Sequence, residues 1–251
     1  MQVVWIFAAI IGFTVIAVSA SLWRQNRRAR QMARAAAHCG LIYEPGGTSL
    51  LNQGLAEIPL FALAALGRQG RIRNVVSGEV RGVRAYACDY DYFTGNVNTT
   101  RFDYRQTAAC FQLRKSLPAF TLHPRTGPLA GASGALNRGA VELLAGMAAP
   151  MMGARARAVH TLLDDAEDPG IDLPGCPKFS ESYRLLGSDA ASLRSLLSPA
   201  FVNQLLAQAR PVSLESAGSW VVLYRKKELV SPEDVPRFLS ESGDLIQLLG
   251  Q

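Results

Sequence analysis

Hydrophobic and polar positions along this chain of 251 residues fall into contrasting textures. From Val3 to Trp23 the apolar run is unbroken: 21 residues hold no charge, no proline and one glycine, Gly12. A helix over that run is roughly 31 Å long, the thickness of a bilayer's hydrocarbon core. Val3, Phe7, Ile10, Phe13, Ile16 and Leu22 are among eleven Val, Ile, Leu and Phe residues in it. At about 0.3–0.6 kcal/mol each, that set favours insertion by roughly 3–7 kcal/mol. Trp5 and Trp23 stand near the two ends, where indole rings favour the headgroup layer. A core helix would carry a polar face and this run has none, so the pattern predicts a transmembrane anchor. "RRARQMARAAAHCG" continues the helix by propensity, as a basic stalk that Gly40 stops.

Beyond residue 40 the pattern becomes two-fold. "RIRNVVSGEV" and "VRAYACDYDYF" flank Arg81-Gly82, which predicts a hairpin. Strict alternation in the second strand puts Tyr86, Cys88, Tyr90 and Tyr92 on a buried face and Asp89 and Asp91 on a more exposed one. "TRFDYRQTAACFQLRK" returns, but its apolar parity slips, which predicts a bulge near Gln106–Ala108. "FTLHPR" reads as a separate short strand after a break at Pro118. From about 127 to 177 the texture is that of an insertion rich in Gly, Ala and Met, with a short helix near 135–148. Residues 127–160 are expected to be the least ordered part of the cytoplasmic domain, because Gly and Ala bury little area per residue. Leu143, Leu144, Met147, Met151 and Met152 are candidates there for contact with a membrane or a partner.

Order returns at "FSESYRLLGSD", read as a strand with Ser188 or Asp189 capping the next helix, which Pro199 breaks. "PVSLESAGSWVVLYRKK" reads as a hairpin of two strands around Ala217-Gly218. "SPEDVPRFLSESGDLIQLLG" opens on a helix-start signature at Ser231, Pro232 and Asp234. Its stripe of Val235, Phe238, Leu239, Leu245, Ile246 and Leu249 should pack on the sheet. The order of elements argues α+β: an anchor and basic stalk over 1–40, then a domain over 41–251 whose curved antiparallel sheet is covered on one face by helices, including a C-terminal one.

"RQTAACFQLRKSLPAFTLHPR" (105–125), "FSESYRLLGSDAASLRSLLSPAF" (179–201) and "LESAGSWVVLYRKKELVSPEDVPRFL" (214–239) together resemble an uncharacterised family of bacterial proteins. Its members carry one N-terminal transmembrane helix and a C-terminal domain of this layout. The resemblance covers about residues 35–250 and implies architecture and a bacterial origin; it carries no activity.

Charge sharpens the picture. The net charge is +6, and Arg24, Arg27, Arg28, Arg30 and Arg34 supply five of those charges with no acid among them. The rest of the chain is close to neutral, so no nucleic-acid partner is expected. The basic cluster lies after the apolar run, which places the N-terminus outside and residues 24–251 in the cytoplasm of a single-pass cell-membrane protein. The same arginines are candidates for contact with anionic lipid. Chemistry is sparse. Cys39, Cys88, Cys110 and Cys176 show no paired spacing and read as buried free thiols. His160 with Asp164 and Asp165 is short of a catalytic zinc set, which needs three ligands. His38 and His123 stand apart from it. Asp89, Asp91 and Asp103, near Arg101 and Arg105, read as cross-strand charge pairs on a solvated face in preference to an acid–base pair. The glycine-rich "GPLAGASGALNRG" lacks a phosphate-loop ending, and no nucleophile elbow exists. The tyrosine face could line a groove but reads first as core. No cofactor, metal or catalytic residue is assigned. The reading is a membrane-anchored, non-enzymatic domain that binds a protein or lipid partner. A tethered hydrolase is the alternative, and a headgroup-binding module like a pleckstrin-homology domain is a third.

Overall fold

The computed structural model describes residues 2–65, 70–94, 102–125 and 170–249, with side chains described from residue 12 except at 17, 18, 63, 93, 94, 102 and 103. The expected insertion helix, its five contact residues and His160 lie outside the described residues, as does Arg101.

Helix α1 runs unbroken over Gln2–His38. It ends where the sequence expects: Gly40 takes φ +68°, its N–H meets Ala37 O, and Leu41 N–H reaches back to Ala36 O at 2.8 Å. That pair of bonds is the Schellman closure, which a Cβ at the left-handed position would strain.

Among the described residues six strands form one sheet: β1 (Ile42–Gly46), β2 (Gly70–Val80), β3 (Val83–Thr94), β4 (Phe102–Pro124), β5 (Tyr183–Gly187) and β6 (Ser213–Tyr224). Strands β1 to β5 follow in sequence order, all pairs antiparallel, and β6 pairs with β4. The hairpin at Arg81-Gly82 is present, with φ +54° and +74° at its two turn residues, the mirror-image turn that suits strand twist. The fold class is α+β, a curved antiparallel sheet with helices.

Several expectations are corrected. The β3–β4 register runs without a shift from Arg84↔Gln112 to Thr94↔Phe102, so no bulge lies near Gln106–Ala108. Residues 106–111 are buried on both faces, and parity carries no signal there. The bulge is in β2 instead, between Arg73 and Val76, with Asn74 at φ +50°. Pro118 breaks nothing: β4 is one strand of 23 residues, and the proline sits where its register with β6 shifts, between Leu117 and Phe120. A missing N–H is tolerated at such an irregularity. Ala217-Gly218 likewise lies inside the single strand β6, opposite Leu117. The first residues of "FSESYRLLGSD" are helical, and β5 starts at Tyr183.

Helices cover both faces rather than one. On one face lie the second half of α1, α4 (Pro177–Ser182), α5 (Ala190–Leu196), α6 (Pro199–Leu206) and α7 (Val235–Gln247). Their core gathers Met32, Ala36, Ala87, Phe111, Phe201 and Phe238. Asp189 caps α5 through Ser192 N–H at 3.0 Å, and Ser198 caps α6 through Phe201 N–H at 3.2 Å. The predicted stripe of α7 is buried in full. A lid covers the other face: α2 (Thr48–Asn52), 3-10 turns at Leu55–Glu57 and Pro59–Phe61, and α3 (Ala62–Ala65). Phe61, Tyr86, Tyr90, Trp220 and Tyr224 fill the space beneath it. The sheet is strongly coiled. Tyr224 donates to Glu215 of its own strand at 2.6 Å, although nine residues of straight strand would span about 30 Å.

Candidate functional site

Alternation along β3 places Asp89 on the face that α1 covers, where it is 1 % exposed. The expectation of a solvated aspartate fails here, and the reason is the stalk. Arg28 of α1 donates from Nε to Asp89 Oδ2 at 2.7 Å and from Nη2 to Oδ1 at 2.7 Å, a fork matched to the carboxylate plane. Nη2 also reaches Val230 O at 2.9 Å and Thr107 Oγ1 at 3.3 Å. Asn74, projected by the β2 bulge, donates to Asp89 Oδ2 at 2.8 Å, and Thr107 Oγ1 donates to Oδ1 at 3.1 Å. One carboxylate thus ties α1 to β2, β3, β4 and the segment after β6. A buried charge requires such company, because alone it would cost many kcal/mol.

A second tier lies one turn of helix toward the N-terminus. Arg73 donates to Gln25 Oε1 at 2.6 Å and to Asp91 Oδ2 at 2.5 Å, and Arg105 reaches Asp91 Oδ1 at 3.0 Å. Here the expected cross-strand charge pairing is present, with Asp91 half-buried. On the opposite face Tyr92 and Tyr104 rings sit 5.1 Å apart, and Lys227 Nζ lies 4.3 Å from the Tyr104 ring centre.

Farther along, α1 leaves the sheet. Phe13 is 76 % exposed, Ile16 68 %, Leu22 55 % and Trp23 62 %. These are four of the residues assigned to the anchor; Val3, Trp5, Phe7 and Ile10 lie on the same helix, with side chains outside those described. Among the described residues no helix is long and apolar enough to cross a membrane. Arg24, Arg27, Arg30 and Arg34 are exposed, and the Arg27 guanidinium lies 5.5 Å from the Trp23 ring centre. Arg28 is the exception in the basic cluster: its guanidinium faces the sheet and is not available to lipid.

The tyrosine face is filled. Phe61 meets Tyr90 edge-on at 4.9 Å, and Tyr86 packs on Trp220 at 5.6 Å. Burial pushes the Tyr90, Tyr92 and Tyr224 hydroxyls well above their ordinary range. Glu215, 1 % exposed, accepts from Leu60 N–H at 2.7 Å as well as from Tyr224. Cys88 and Cys110 are buried neighbours, whereas Cys39 is exposed and Cys176 half-buried, so the thiols are not uniformly interior. His123 is held down to about 4 by burial and by the Lys226 and Arg184 charges. Among the described residues no group of three metal-ligating side chains gathers.

Sequence reasoning missed Asp89, Asn74, Thr107 and Glu215 as organising residues. The available signals were an Asp flanked by the buried strand positions Cys88 and Tyr90 and a Glu inside the strand that ends in "WVVLY".

No protein-family model matches the chain, and no curated protein matches it. Among solved structures it is similar to the crystal structure of the mycobacterial trehalose monomycolate transport factor A. The identity is 12 %, the TM-score 0.48, and the match covers 88 % of this chain and 96 % of that one.

Proposed function

We propose that this chain is a membrane-anchored, non-enzymatic domain that holds a binding surface for a protein or lipid partner against the cytoplasmic face of a cell membrane. The observation that carries the reading is the division of labour along α1. Its last third is locked into the sheet by Arg28 and Asp89, while its exposed Phe13, Ile16, Leu22 and Trp23 leave a large apolar surface uncovered. Large apolar side chains left exposed in that number on one helix call for lipid or a partner. The run from Val3 supplies the remaining length by sequence, and the arginines after Trp23 set the orientation. A non-enzymatic role is supported by the state of the carboxylates. Asp89 and Asp91 are each engaged by arginine, and general acid–base work requires a carboxylate open to substrate.

The test is membrane fractionation with paired reporters. The full chain should stay in the membrane pellet after alkaline carbonate, a C-terminal fluorescent-protein fusion should be bright, and a C-terminal alkaline phosphatase fusion should be inactive. Release by carbonate sinks the anchor, and an active phosphatase fusion sinks the orientation.

A further inference from the structure

Helix α1 and strand β3 run side by side in opposite directions, and their two tiers of contact fix which end of the sheet faces the apolar half of the helix. Asp89 is level with Arg28, and Asp91, through Arg73, is level with Gln25. Tyr92 and its register partner Tyr104 lie one strand residue farther on, about 3.3 Å, which is about two helix residues and brings them level with Trp23. The start of β2, the end of β3, the start of β4 and the loop after β6 therefore all reach the height at which α1 turns from basic to apolar.

The chemistry at that end is uneven. Arg71 and Lys227 are exposed, and the Arg105 side chain is 45 % exposed. The acids there are engaged: Asp91 is shared by Arg73 and Arg105, Glu228 beside Lys227 is paired with Arg210 and Arg225, and the buried Glu215 accepts from Leu60 N–H and Tyr224, while Asp103 holds the register position opposite Phe93. Lys227 is displayed by the backbone: it holds φ +62°, its N–H is fixed to Gln106 Oε1 at 3.0 Å, and its ammonium rests over Tyr104. A lysine in the left-handed region is uncommon and persists when its surroundings over-determine it. Aromatic rings interleaved with cations, level with an indole at the head of a basic helix, form the composition that a headgroup layer selects.

We propose that this end of the sheet is a second membrane contact, in which Arg71, Arg105 and Lys227 take the phosphate groups of anionic phospholipid while Tyr104 and Trp23 lie at the headgroup level. The proposal rests on the anchoring reading above and adds to it that the domain is seated on the bilayer and does not hang below it. Each cation near an anionic surface contributes a factor of about five to association, so three of them distinguish anionic from zwitterionic lipid by about a hundredfold.

The experiment is amide hydrogen exchange on the full chain in nanodiscs of phosphatidylcholine, alone or with about 30 % phosphatidylglycerol. Exchange over 225–229 and 104–106 should slow at least about threefold with phosphatidylglycerol, while the Val80–Val83 turn at the far end of the sheet should not change. The double variant Arg71→Glu, Lys227→Glu, whose two sites are exposed, should erase the difference and keep the thermal transition. Identical exchange in both discs, in a chain that stays with the disc, overturns the seating and leaves the anchor standing. Slowing that survives the double variant also overturns it. Failure of the chain to stay with the disc overturns the anchor, and the seating with it.

Discussion

At the scale of single residues the molecule turns on one carboxylate. Replacing Asp89 with Ala leaves the Arg28 guanidinium, 14 % exposed, without its counter-ion, and should cost about 3–5 kcal/mol. Arg28→Ala should cost a comparable amount, and the double variant should cost markedly less than the sum, since each single change strands the other charge. Urea denaturation of the four proteins checks this; additivity sinks the claim that the pair acts as a unit. His123 gives a pH signature. Its folded-state value of about 4 lies below the ordinary 6.5, so between those values the unfolded chain binds more protons. Its contribution is full above pH 6.5, declines on acidification, and levels off below about 4. The declining part should be about 3 kcal/mol at most and should vanish in His123→Gln, seen as a flatter dependence of Tm on pH over that window. Asp89 is legible in the sequence as a strand charge but its burial is not, because alternation assigns a face and not what covers it, and its cover is 61 residues away in the chain.

Elements were legible where a local rule governs them. The Arg81-Gly82 turn, the Gly40 stop, the Asp189 cap and the stripe of α7 each follow from a few adjacent residues. The failures share a cause: strands β4 and β6 are long and buried on both faces in part, so Pro118 and Ala217-Gly218 looked like ends when they are irregularities within one paired ladder. Helix α1 was read as anchor plus stalk, yet Met32 is fully buried and Ala36 1 % exposed against the sheet. Two truncations follow. A chain starting at Gln25 keeps Arg28, Met32 and Ala36 and should melt within about 3 °C of the full protein. A chain starting at Leu41 strips the cover from Asp89 and should melt at least about 10 °C lower. Equal melting temperatures would mean that the second half of α1 is dispensable to the domain.

At the scale of the whole molecule, alternation and element order pointed to a curved antiparallel sheet with helices, but not to how hard it coils. The contact of Tyr224 with Glu215 requires the sheet to bend at the shifted β4–β6 register, and that bend is what allows a lid of short helices to close one face. Nothing local in "SLESAGSWVVLY" announces it, because coiling is set by pairing between distant strands. The unbroken course of α1 has a further consequence. A flexible linker would let a tethered domain explore a volume that grows with linker length, at low effective concentration for any site fixed nearby. A helix without a hinge, bolted to the sheet through Arg28, acts instead as a lever arm with Asp89 as its fulcrum. Any tilt imposed on the apolar end is delivered to the sheet as a rotation of the whole domain, so its reach is short and its bearing is set by the helix.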